Sequence, residues 1–271
     1  MSHFVRPRPA GDYPLRFIAL HHAGGSAAGY HPLARELPAD WEVLLLDLPG
    51  RGRRYAEAPH REMAGVVDEA TRLIADQTGR PYVLFGHSMG AVVAVEVGRR
   101  LAVSHSAPVW VGVSGRAAPT APPPVVPVVP GGRLSELADD RLLAALLSLG
   151  GTPRRLLEIP EMRAQFLRVA RADLLAVDSY RAAPGRLPLP CPLTVFGGLT
   201  DPWAPLDRLP AWQAESRLPL RQCFFPGGHF YFQDDAFARL AREIRTEVRA
   251  ALRADAAPVG TGGHEFFTVG G

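Results

Sequence analysis

The sequence predicts an α/β protein built on a mostly parallel sheet with helices on both faces. Short apolar runs rich in strand-forming residues, each bounded by Gly or Pro, alternate with segments whose apolar residues recur at helical spacing. The 271 residues, 47% of them hydrophobic, suffice for a substantial core in one large α/β domain or two small ones. Strands separated by helices are joined by crossovers, so they run parallel and the sheet is covered on both sides. Ligands of such sheets bind beyond the carboxyl ends of the strands.

Taken in order, residues 1–14 are polar and proline-containing and read as an N-terminal tail, ahead of one domain over 15–255. Leu15–Leu20 is the first strand, followed by a helix near Tyr30–Leu37, a strand at Val43–Asp47 and a helix over Glu62–Gln77. Pro81–Phe85 is a short apolar strand that runs into a helix over Met89–Leu101, and Val109–Val113 is a strand again. The alternation then breaks. Pro119, Pro122, Pro123, Pro124, Pro127 and Pro130 make a stiff extended connector that is neither helix nor central strand. Beyond it, Asp139 reads as an N-cap, Leu142, Leu143, Leu146 and Leu147 give an apolar helical face, and Gly150-Gly151 ends it. Thr152-Pro153 restarts a helix, and Leu167, Ala170, Leu174 and Val177 recur in a longer one. Residues 131–181 therefore read as a helical lid inserted over the active edge, or as a subdomain without gating function. Strands at Pro192–Phe196 and Leu220–Phe225 and helices at Leu206–Ala214 and Asp235–Ala251 complete the domain, and the glycine-containing 256–271 reads as a flexible tail.

Charge and composition exclude several function classes. The net charge is +3 and all 30 Lys or Arg residues are arginine, yet no cluster is dense enough for a nucleic-acid surface. Arg242, Arg245, Arg249 and Arg253 lie opposite an apolar stripe on the last helix and read as a solvated face. No run of about 18 apolar residues is present, so no membrane span is expected and the chain reads as soluble and cytoplasmic. Cys191 and Cys223 supply neither a disulfide framework nor a four-cysteine metal site and read as buried thiols.

Three segments carry chemistry. Gly86-His87-Ser88-Met89-Gly90 lies between a strand and a helix, the context in which a tight turn lifts a serine hydroxyl above the sheet at the positive end of a helix. Asp201 follows the strand ending at Phe196, and His229 follows the last strand, giving the chain order Ser88, Asp201, His229. A serine hydroxyl needs an imidazole to take its proton, and the imidazole needs a carboxylate to fix its tautomer. Asp207 is the rival acid, farther into the next helix. His21-His22-Ala23-Gly24-Gly25-Ser26 follows the first strand and would bring the Ala23 N–H to an oxyanion, with the Met89 N–H as second donor. A metal at His21 and His22 would be a competing use of that loop; adjacent residues of an extended segment point apart and no spaced partner is evident, so no metal is assigned.

Together with Asp47-Leu48-Pro49-Gly50-Arg51-Gly52, Gly150-Gly151-Thr152-Pro153 and Gly227-Gly228-His229-Phe230, these segments resemble the stand-alone type II thioesterases of polyketide and nonribosomal peptide assembly lines, over about Phe17 to Arg249. His21 stands where that family commonly has proline. The resemblance implies an α/β-hydrolase fold and an editing enzyme that hydrolyses aberrant or stalled acyl groups from the phosphopantetheine arm of acyl or peptidyl carrier proteins. Ser88 would be nucleophile, His229 base, Asp201 acid, and Ala23 and Met89 oxyanion donors. No cofactor beyond the substrate's own phosphopantetheine is implied. Product-releasing or cyclising thioesterases embedded in such assembly lines typically take the acid after the strand preceding the lid, where this chain has Ser114-Gly115-Arg116. The same residues are also compatible with a small-ester esterase or a noncatalytic α/β-hydrolase-fold binding protein.

Overall fold

The computed structural model describes residues 3–121, 132–152 and 158–256. Among them one sheet is formed by β1 (Phe4–Val5), β2 (Leu15–Leu20), β3 (Trp41–Leu46), β4 (Tyr82–His87), β5 (Trp110–Ser114), β6 (Leu193–Gly198) and β7 (Arg221–Phe225). Its strand order is β1-β3-β2-β4-β5-β6-β7. Every neighbouring pair is parallel except β1 with β3. This is the mostly parallel α/β sheet read from the sequence.

Successive strand residues point to opposite faces, and both faces are apolar. Ile18, Leu44, Leu84, Val111 and Val195 pack under α2 (Met63–Ala75) and α3 (Met89–Ser104). On the other side Phe17, Val43, Phe85 and Phe196 pack against α1 (His31–Glu36) and, through Leu240, Ile244 and Val248, against α6 (Phe237–Ala256). The inserted helices α4 (Asp139–Leu149) and α5 (Pro160–Ser179) share a smaller cluster built on Leu142, Leu146, Leu167 and Leu174.

The chain turns back at the centre of the sheet, because β2 pairs with β3 on one side and β4 on the other. That reversal opens a crevice at the strand ends. The register brings the ends together: Leu20 pairs with Gly86, His87 with Ser114, Ser114 with Phe196 and Gly198 with Phe225. Four loops leave the sheet side by side.

Several local expectations change. The stretch read as an N-terminal tail contributes β1, with Phe4 opposite Leu46, and Arg8 donates to the carbonyls of Ala34 and Leu37 (2.8 and 2.7 Å) at the end of α1. The residues expected to be helical after β6 form a 3-10 helix, Leu206–Glu215, since Pro210 within it lacks an N–H for an α ladder. Asp139 is the first residue of α4 instead of its cap, and its carboxylate accepts from Arg171 Nη2 (2.6 Å) across to α5. Cys191 is buried but Cys223 only half-buried, on an edge strand. Most of the proline connector, the helix restart at Pro153 and the tail from residue 257 lie outside the described residues. Among the described residues no helix is long and apolar enough to cross a membrane.

Candidate active site

The turn from β4 into α3 is held in a conformation that glycines must flank. Ser88 has φ 55° and ψ −112°, and no other non-glycine among the described residues has positive φ. A Cβ on Gly86 would lie 1.9 Å from the Gly90 carbonyl oxygen, and one on Gly90 2.2 Å from that of Leu20. The Ser88 N–H donates to the Ser114 carbonyl (2.8 Å), fastening the turn to β5. Ser88 is the N-cap of α3, so Met89 is its first residue, where backbone N–H groups lack intrahelical acceptors and the helix field is positive.

The loops after β6 and β7 bring Asp201 and His229 together. Leu199 and Thr200 donate to the carbonyls of Phe225 and Gly227 (2.8 and 3.0 Å), stitching one loop to the other. Asp201 Oδ2 accepts from His229 Nδ1 (2.9 Å), and Oδ1 accepts the Trp203 N–H (2.8 Å). Both side chains are buried, at 0% and 3% exposure, so this is a desolvated pair with the imidazole's Nε2 left for a reacting group. The rival Asp207 is exposed in the following 3-10 helix. After β5, Gly115 (φ 59°) lies beneath the imidazoles: a Cβ there would be 2.3 Å from His87 Cε1 and 3.3 Å from His229 Cε1.

Beyond β2, the loop expected to supply an oxyanion donor is braced from three sides. The Gly24 N–H donates to Asp173 Oδ2 (2.8 Å) and the Gly25 N–H to the His22 carbonyl (3.0 Å). Arg51, from the loop after β3, donates to both carboxylate oxygens of Asp173 (2.6 and 2.8 Å) and to the Gly25 carbonyl (3.2 Å). Asp47 Oδ1 accepts the Ala27 N–H (2.8 Å) at the far end of the loop. Asp173 belongs to α5, so a buried ion pair joins the inserted helix, the β3 loop and the loop after β2. Periodicity showed Asp173 only as a polar residue between apolar neighbours; its pairing with a residue 122 positions away is not a local signal.

Ser88, His229 and Ala23 line one cleft, closed by Phe166 and Leu174 of α5, Leu146 of α4, Trp203 and Phe230. The space within and in front of the cleft, open solvent at its mouth included, is about 510 Å³. Its histidines differ in situation. Burial lowers the pKa of His21 and of His22 to about 3, so both are neutral, and neighbouring positive charge adds to the effect. His87 is also lowered, first by burial and then by His229 and His22; its Nδ1 lies 2.9 Å from Ser114 Oγ, which is 2.7 Å from the Tyr231 hydroxyl. Among the described residues no group of three or more His, Cys, Asp or Glu side chains could hold a metal ion.

The family model for the thioesterase domain matches residues 16–248. A probable cadicidin biosynthesis thioesterase of Streptomyces griseus is 32% identical over 252 residues, 93% of this chain and 66% of its own length. Two solved structures are similar throughout: the type II thioesterase BorB from the borrelidin biosynthetic cluster (TM-score 0.80, 32% identity, 91% of this chain and 97% of that one), and YbtT, a type II thioesterase from the yersiniabactin NRPS/PKS pathway (TM-score 0.79, 27% identity, 92% and 99%).

Proposed function

The chain belongs to the thioesterase domain family, and from that premise we propose that it is an editing hydrolase, removing aberrant or stalled acyl groups from the phosphopantetheine thiol of acyl or peptidyl carrier proteins. The observation that carries this reading is the buried Asp201–His229 hydrogen bond (2.9 Å) at the cleft that Ser88 also lines. Likeness to type II thioesterases named for biosynthetic clusters supports the substrate class.

In the proposed reaction His229 Nε2 takes the Ser88 proton as Oγ attacks the thioester carbonyl, and Asp201 holds the imidazole in the Nδ1–H tautomer and stabilises the imidazolium. The Ala23 and Met89 N–H groups receive the oxyanion. The departing thiolate takes the proton from the His229 imidazolium, leaving acyl-Ser88 beside a neutral imidazole. A thiol has an ordinary pKa near 8.5, so its departure needs little general-acid help, and the second step, attack by water with His229 again as base, returns free serine and a carboxylic acid. No cofactor takes part in this scheme, since pantetheine arrives with the substrate.

Editing is preferred to product release because Gly115-Arg116 after β5 offers no carboxylate, and a side chain at Gly115 would strike His87. The direct test is a hydrolysis panel: acetyl, propionyl, longer acyl and aminoacyl groups on carrier proteins, beside oxygen esters of equal chain length. The proposal expects short, non-native acyl groups to be released as acids and the oxygen esters to lag. Exclusive release of a full-length chain would move the assignment to product release, and faster oxygen-ester cleavage would move it to an esterase.

A further inference from the structure

The chain pairs the arginines it buries. Arg51 faces Asp173, Arg54 faces Glu57 and Glu69, and Arg99 and Arg186 share Glu215. Arg116 departs from that rule. It is the second residue after β5, its backbone carbonyl accepts Trp212 Nε1–H (2.7 Å), and it lines the cleft with Ser88 and His229 among Leu174, Val177 and Trp203. No hydrogen bond or ion pair engages its guanidinium among the described residues. The carboxylate that acts on it from a distance, Asp178, makes no ion pair with it and accepts from Ser135, and the neutral Tyr180 hydroxyl donates to Glu96 (2.6 Å). A guanidinium always carries its charge and offers five N–H donors in a planar fork. Half-buried at the cleft and without a protein partner, it is open to a ligand, and a carboxylate is the ligand whose two oxygens match the fork.

From this we propose that Arg116 reads the acyl group: the cleft takes thioesters whose acyl chain ends in a carboxylate, the half-thioesters of short dicarboxylic acids, with the free carboxylate on Arg116 and the thioester carbonyl at Ser88. The inference rests on the thioesterase reading of the same cleft and adds its specificity. Apolar lining alone would favour hydrocarbon acyl groups and reject this charge.

The test measures kcat/KM for malonyl and isovaleryl pantetheine thioesters, which have nearly the same shape and differ in the terminal carboxylate, with succinyl and glutaryl added to read the reach from Ser88. The ratio of charged to uncharged substrate is taken within each variant, so a general loss of activity cancels. Arg116→Met should lower the best charged-to-uncharged ratio about tenfold to a hundredfold, the size of a charge-assisted contact, and Arg116→Lys should recover part of it. Labelling of Ser88 by a serine-directed fluorophosphonate establishes that each variant is folded. An unchanged ratio in both variants, or an equal loss on both substrates as expected for a contact to the pantetheine arm, overturns the proposal. So does a wild-type enzyme that cleaves isovaleryl but none of the dicarboxylic thioesters. Failure of the wild type on every thioester would instead remove the thioesterase reading, and this inference with it.

Discussion

Ser88 sits in a backbone region that costs a non-glycine residue about 1–3 kcal/mol, and the surrounding structure keeps it there. The motif was legible because steric demand falls on its two glycines, and sequence records glycine directly. Asp201 and His229 were legible through strand order: each follows a strand end, and neighbouring strand ends are neighbouring loops. Asp201→Asn should lower kcat by about 10³–10⁴-fold, as for loss of the tautomer-fixing acid elsewhere, while the exposed Asp207→Asn should stay within about twofold. Steady-state kinetics on one acyl-carrier substrate checks both, and greater sensitivity at Asp207 would reassign the acid. Arg51 was visible as part of a motif but its role was not, because the partner, Asp173, lies on a helix reached only through the fold.

The inserted helices show how much of an element periodicity can reveal. Leu142, Leu146, Leu167 and Leu174 announced α4 and α5, but not that α5 is tied to the sheet along its length. Gln165 Nε2 donates to the Gly50 carbonyl (2.6 Å), Asp173 joins Arg51 and Gly24, and Ser179 Oγ accepts the Met63 N–H (3.0 Å). By contrast, α4 packs mainly on α5 through the Leu cluster. Any opening of the proposed lid therefore belongs to α4, with α5 as part of the wall. Asp173→Asn would leave a buried guanidinium without its counter-charge, a loss of about 3–5 kcal/mol and about 6–20 °C in Tm. It would also weaken the brace on the Gly24 N–H, which a neutral amide oxygen accepts less strongly than a carboxylate, so kcat should fall more than KM rises. Arg51→Met with Asp173→Leu should recover much of the Tm but not the kcat, measured by calorimetry and kinetics. Recovery of both would make the pair purely structural.

Across the whole molecule, a basic chain fits an acidic partner: 30 arginines against 27 acidic residues leave +3. An acyl group on an acidic carrier protein should be hydrolysed with higher kcat/KM than the same group on a short pantetheine, and the advantage should shrink as salt rises, since exposed charges are screened over about 8 Å at physiological ionic strength. Equal efficiency at low salt would remove protein–protein docking from the account. Which arginines would serve is less legible. Arg163 already pairs with Asp140 across α4 and α5, while Arg154 and Arg155 lie outside the described residues. The sheet itself was readable almost throughout, since a central strand buried on both faces is apolar without alternation; β1 was missed because two residues have no period, and its place comes from pairing with β3. The whole mechanism depends on a covalent intermediate at one atom. Mixing the protein with an acyl-carrier substrate, quenching in acid within the first turnovers and measuring intact and peptide mass should show the acyl increment on Ser88 and on no other residue, absent in a folded Ser88→Ala variant whose hydrolysis falls about a thousandfold or more. Near-wild-type turnover in that variant, or hydrolysis with the acyl group found elsewhere, would contradict the account.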